Sequence, residues 1–180
     1  ELIVGEGYEP THLESLYIGC VELSKEHFGD GKLSQKRFDR ARLAARLELN
    51  PVVAAFRRHR WTRAIGSSGT VRAAHDVARE MKLVDTGITP AAVEKIINEL
   101  IAARRLEDAR LPGLSADRVP VFAGGLAILA EVMGTLRIEQ LELSGGALRE
   151  GLLYDMLGRL QHEDVRERSI RAMQRRYHVD

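Results

Sequence analysis

With 180 residues, 44% of them hydrophobic and 29% charged, the chain has enough apolar mass for one compact domain and a soluble surface. A formal net charge of +1 excludes a strongly basic nucleic-acid binder, so no specific nucleic-acid partner is expected. The single cysteine, Cys20, rules out an internal disulfide and favours a reducing, cytoplasmic compartment. No apolar run is expected to reach the ~18 residues of a membrane span. The opening Glu1-Leu2-Ile3-Val4 has no initiator Met and no basic leader; it looks like the middle of a strand, so a longer parent protein is expected.

In chain order, residues 2–5 and 13–20 read as extended runs joined by the Gly7-Tyr8-Glu9-Pro10 turn, a hairpin. Gly29-Asp30-Gly31 is a loop, and Ser34 then caps a helix carrying Phe38, Ala41, Leu43, Ala45 and Leu49. Asn50-Pro51 predicts a kink or break, with the helix resuming through Val53 and Phe56. Residues 61–65 form a short strand, followed by a small-residue loop and a helix over 71–81. Thr89 and Pro90 are the cap and first residue of the next helix, whose buried stripe is Val93, Ile96, Ile97 and Leu100. Leu111-Pro112-Gly113 is a turn. Ser115 caps a long helix to about residue 136, in which Gly124-Gly125 permits close packing. Residues 140–143 read as a strand, Ser144-Gly145-Gly146 as a loop and 147–157 as a helix. Charged residues around Val165, Ile170 and Met173 read as a separate amphipathic helix. Helices dominate, and strand–helix alternation in the second half argues for an α/β layer with parallel strands.

Chemistry concentrates in Gly66-Ser67-Ser68-Gly69-Thr70. A helix start presents unpaired N–H groups and the positive end of the macrodipole, and glycines let a phosphate approach the backbone. Ser67, Ser68 and Thr70 supply hydroxyl donors, while Gly66 and Gly69 open the backbone; the bland alternative is a capped turn. Gly145 and Gly146 repeat the arrangement, or serve as a tight packing turn. If the two strands are parallel, both helix starts face one cleft. Arg149 pairs with a phosphate or is solvated; Glu150 suits the helix dipole or, less simply, a metal. The six histidines show no zinc spacing and read as surface or loop residues, and Cys20 as a small buried apolar residue. The clusters Arg57-Arg58-His59-Arg60 and 171–176 hold a polyanion or, more simply, face water at helix ends.

Several motifs occur in order along nearly the whole chain. They are the Gly-Ser-Ser-Gly-Thr loop, Leu111-Pro-Gly-Leu-Ser-Ala-Asp-Arg118, Gly124-Gly-Leu-Ala-Ile-Leu129 and Gly146-Ala-Leu-Arg-Glu-Gly151, with Gly19-Cys20-Val21 and Asp164-Val165-Arg166. Together they resemble the exopolyphosphatase and guanosine pentaphosphate phosphatase (Ppx/GppA) family. The resemblance implies an α/β, ribonuclease-H-like lobe of the actin and sugar-kinase type, with a mixed sheet and packed helices. Residues 1–158 would be the second lobe, without its first strand, and 159–180 the start of a helical region. The first lobe, with its catalytic glutamate, would lie elsewhere in the parent protein. Glu1 matches the end of the family's Asp-Ile-Gly-Gly-Gly-Ser-x-Glu-Leu stretch, whose glutamate lies near bound phosphate and metal; Glu1 is thus this chain's catalytic candidate, and Glu1 and Glu150 are the metal candidates. The implied cofactor is Mg²⁺ or another divalent cation. Polyphosphate or guanosine penta- and tetraphosphate would be the substrates, the missing lobe a partner, and a homodimer the complete form. The enzyme would hydrolyse terminal phosphoanhydrides, with this stretch inactive alone. A phosphate-binding module or sensor without catalysis is the alternative.

Overall fold

The most apolar segment of the sequence, Val119–Leu136, becomes the helix (α5) around which the others assemble. The computed structural model describes residues 1–7, 9–59, 61–160 and 174, the side chains of 158–160 excepted. Before α5 come β1 (Leu2–Glu6), β2 (Glu9–Glu14), α1 (Cys20–Phe28) and α2 (Gln35–Arg58). They are followed by β3 (Ala64–Gly66), α3 (Gly69–Glu80) and α4 (Pro90–Ala103). After α5 come β4 (Leu141–Leu143) and α6 (Leu148–Leu160). Contacts divide the chain into two compact units, Glu1–Leu143 and Ser144–Asp180. The helix expected around Val165, Ile170 and Met173 lies outside the described residues.

In the first unit, α1 and α2 form the broadest contacts with α5, and α3 and α4 flank it. By length and composition α5 could cross a membrane (mean hydropathy 1.8), which corrects the expectation that no run was long enough. Most of it is buried, however, and a helix apolar all round suits the centre of a core. Gly124 lets α1 come close: its N–H donates to the buried Ser24 Oγ at 3.1 Å. A β-carbon there would stand 2.4 Å from that oxygen and 2.6 Å from Ser24 N. Glu131 is the charged exception on α5, only 3% exposed. Arg42 Nε (2.7 Å) and Arg46 Nε (2.9 Å) donate to its two oxygens, and Arg42 also reaches Glu94 on α4 at 2.6 Å. Burial pushes the Glu131 carboxyl up, but the hydrogen bonds from Arg46 and Arg42 outweigh that and hold it below the usual range.

Several local expectations shift. The hairpin is present, but its second strand is Glu9–Glu14, and Cys20 starts a helix instead of ending a strand. Gly19, the N-cap of α1, has no side chain with which to signal a helix start. Proline at position 51 neither breaks nor ends α2, which runs unbroken to Arg58. Its ring is exposed, while Phe38, Ala41, Ala45, Leu49 and Phe56 stay buried and outweigh the ~3 kcal/mol a mid-helix proline costs. The long helix starts at Val119, with Arg118 rather than Ser115 as N-cap. By contrast, Thr89 Oγ1 does accept from Ala92 N at 3.2 Å, and Val93, Ile96, Ile97 and Leu100 are all buried.

The α/β class holds, yet the described strands form two separate pairs instead of one mixed sheet. β1 and β2 run antiparallel, with a bulge between Val4 and Gly5 that accommodates Pro10. β3 and β4 run parallel, so that Gly66 lies opposite Leu143. The far side of β4 is occupied by Ile88, which exchanges both backbone bonds with Leu141 at 2.8 Å. No strand among the described residues pairs with the other edge of β3, and Ile65 is exposed there.

Candidate functional site

The parallel β3–β4 pair puts the carboxyl ends of both strands side by side, the end where α/β folds bind ligands. From Gly66 the chain turns into α3 through Ser67 and Ser68, both exposed. Ser68 is the N-cap, its Oγ accepting from Val71 N at 3.2 Å. The lone pair, not the proton, makes that cap, so Ser68 still has an O–H to donate. Ser67 makes no capping bond and is exposed.

The glycines divide their work. A β-carbon at Gly66 would stand 2.8 Å from Val71 Cγ1 and 3.2 Å from Leu141 Cδ2, so this glycine lets strand and helix pack. At Gly69 the neighbour is Arg118, whose Nη1 would stand 2.4 Å from such a carbon. A guanidinium therefore lies over the first residue of α3. Thr70, expected to donate to phosphate, packs its side chain against Gly125 of α5.

Arg118 is the residue that sequence reading left out of the site, although it ends one of the motifs noted above. Its signal was its position. It is the N-cap of α5, where a cation opposes the helix dipole and where Ser, Thr, Asp or Asn is usual. Asp117 Oδ2, 3.4 Å from Arg118 Nε, offsets part of the charge. A hydrogen bond from Ser115 chiefly holds the Asp117 carboxyl below the usual range, with Arg118 adding to it. Two helix starts and a guanidinium thus concentrate positive potential around the 66–70 loop.

A cleft of about 590 Å³ opens beside the loop and is lined by Gly66, Ser67, Ser68 and Thr70. Glu1 lines it too, as do Gly19 and Cys20 at the start of α1, a second helix start that was not singled out as a site. Most of the remaining wall is apolar, including Leu2, Val4, Ile18, Trp61 and Ile65. Arg63 closes one rim and is held by Glu142 through two bonds of 2.9 and 2.6 Å. Cys20 is half-buried.

The second predicted loop belongs to the second unit. There Ser144 Oγ donates to Gly146 O at 2.6 Å and accepts from Gly146 N at 3.2 Å. Glu150 Oε2 accepts from Ala147 N at 2.7 Å, closing the first turn of α6. Arg149 and Gly145 are exposed. Of the basic cluster near 57–60, Arg57 donates to the Thr135 carbonyl at the end of α5, at 2.9 Å, and is not free for a polyanion. His12, His27, His59 and His75 are half-buried, with His59 in the bend after α2 and the other three on a strand or helices, and His12 stacks on His59 at 5.6 Å. The residues 162, 171–173 and 175–178 lie outside the description.

Among the described residues no three His, Cys, Asp or Glu side chains gather as a metal-holding group. The described residues therefore do not build a cage for Mg²⁺ by themselves. One carboxylate at the cleft, Glu1, fits the looser manner of that ion, which takes one or two carboxylates plus phosphate oxygens and water.

The model of the Ppx/GppA phosphatase family matches residues 1–160. The chain belongs to that family. It is 39% identical over all 180 residues to a guanosine-5′-triphosphate,3′-diphosphate pyrophosphatase of Vibrio cholerae, covering 36% of that protein. The fold is shared with the Ppx/GppA enzyme of Aquifex aeolicus, in two solved structures. One has a TM-score of 0.72 at 20% identity, over 89% of this chain and 53% of that one. The other has a TM-score of 0.70 at 21% identity, over 84% and 51%. The fold is thus the α/β fold of those Ppx/GppA structures, as the motifs implied. The chain spans about a third of the Vibrio family member and about half of the Aquifex ones.

Proposed function

We propose that the chain is the phosphate-holding half of a phosphoanhydride hydrolase. The complete enzyme would remove a terminal phosphate from inorganic polyphosphate, or the 5′-phosphate of pppGpp. The observation that carries this reading is the Arg118 guanidinium over Gly69, beside the exposed hydroxyls of Ser67 and Ser68. Family membership and the substrate named for the Vibrio relative support the reaction class.

In this reading Ser67, Ser68 and the N–H groups opening α3 donate to the equatorial oxygens of the transferred phosphoryl, which carry its charge. Arg118 adds a fork of donors suited to phosphate. Gly145, Gly146 and Arg149 are kept as phosphate-binding candidates of the second unit by itself, and Mg²⁺, held by Glu1 with phosphate and water, would neutralise charge. Glu1 is the one carboxylate among the residues lining the cleft. We assign activation of the attacking water to the family's first lobe, so the 180 residues bind phosphate without turnover. The lone cysteine supports a cytoplasmic setting, and the complete enzyme would be a homodimer.

The test is phosphate release by the full-length protein on polyphosphate and on pppGpp, beside the 180-residue chain. Turnover by the full-length protein alone is expected. Comparable turnover by the 180-residue chain would overturn the division of labour. Binding without release in both would favour a sensor.

A further inference from the structure

A second cavity, of about 510 Å³, opens at the start of α2 and is lined by Lys32, Ser34, Arg37, Arg104 and Arg105 among others. The backbone gathers these cations. Lys32 and Arg105 face each other across an antiparallel bridge, and Leu33 N donates to the Arg104 carbonyl at 2.7 Å. Like charges placed opposite in such a pair repel. Two carboxylates answer the four cations: Asp30 holds Arg37 at 2.8 Å and Lys32 at 3.9 Å, and Glu107 holds Arg105. Arg104 has no carboxylate partner among the described residues. The same cavity meets the N-terminus of the 24-residue α2, where Ser34 makes no capping bond and the first turn has no acidic residue. The cavity, the surplus cations and the uncapped helix all favour one class of guest, an anion.

We propose that this cavity is a second anion site, taking a short run of linked phosphates. Arg104 and Arg105 present planar forks that match phosphate oxygens in pairs, while Arg37, held by the His27 carbonyl at 2.7 Å and by Asp30, adds charge. Arg37 and Leu49, the nearest α2 residues of the two cavities, are about 18 Å apart along the helix at ~1.5 Å per residue. The site is therefore separate from the 66–70 loop and independent of the function proposed for it.

The test uses the ¹⁵N-labelled 180-residue chain titrated with tripolyphosphate and, separately, guanosine tetraphosphate. Saturable shifts of the 34–37 amides are expected, distinct from those of 67–70. Arg104→Gly suits the positive φ of 62° at that position, so it keeps or raises Tm while weakening the 34–37 response about tenfold. Lys32→Gln does the same to binding. A response to both ligands shows that phosphate alone is read; a response to guanosine tetraphosphate alone assigns the site to nucleotide phosphates. No shift at 34–37 with either ligand, or a shift that both variants leave intact, overturns the proposal.

Discussion

Ser67 and Ser68 are neighbours with different duties. Ser68 caps α3 through its oxygen, whereas Ser67 makes no cap and is exposed. Ser68→Ala is therefore expected to cost about 1 kcal/mol of stability, and Ser67→Ala less than about 0.5 kcal/mol. Thermal melts separate them; an equal loss in both would contradict the assignment. Arg118→Ala should leave the melt unchanged yet weaken pyrophosphate binding by about tenfold or more, given ~1.5–3 kcal/mol for a hydrogen bond to a charged group. Calorimetry checks it, and unchanged affinity would remove Arg118 from the site. The serines and glycines were legible because small residues between a strand and a helix have few other uses. Arg118 was not, since only the fold brings the start of α5 onto the start of α3. Gly66 was legible as a glycine, but its packing against Val71 and Leu141 was not.

At the scale of elements, two glycines of α5 make opposite predictions. Gly124→Ala meets Ser24 backbone and side chain and is expected to cost about 1–3 kcal/mol. Gly134 has nothing within 4 Å, so Gly134→Ala should gain about 0.5–1 kcal/mol. Urea titration reads both; a stable Gly124→Ala would refute the close approach of α1. The start of α4 was legible because Thr89 and Pro90 mark it in side-chain chemistry. α1 was not, with a glycine as its cap. Helix ends were harder still. Lys82, Arg104 and Arg137 take the left-handed conformation after α3, α4 and α5, positions where glycine is the usual signal.

Across the whole first unit, one buried carboxylate ties three helices together. Glu131 joins α5 to α2 directly and to α4 through Arg42. Glu131→Gln leaves two arginines without their shared partner and is expected to cost about 3–5 kcal/mol. Because the folded carboxyl sits below its unfolded value, its contribution is present above the ~4.3 of an unfolded glutamate and is lost as pH falls through the folded value. The gap between wild type and Glu131→Gln should thus be wider at pH 7 than at pH 3 in denaturant titrations. A gap independent of pH would refute the ionised network. The α/β class was readable from strand–helix alternation, and the family from ordered motifs. The separation of the strands into two pairs was not, because it depends on which edges meet in space, and no local residue records that.

The central claim is that the 66–70 loop holds the phosphoryl group undergoing transfer. Its most direct test is the steady-state kinetics of the full-length protein with Ser67→Leu, beside a circular-dichroism melt. We expect kcat/KM for phosphate release to fall at least a hundredfold, about 2.7 kcal/mol of transition-state stabilisation, with the melt unchanged. Wild-type kinetics in a folded Ser67→Leu protein would contradict the account.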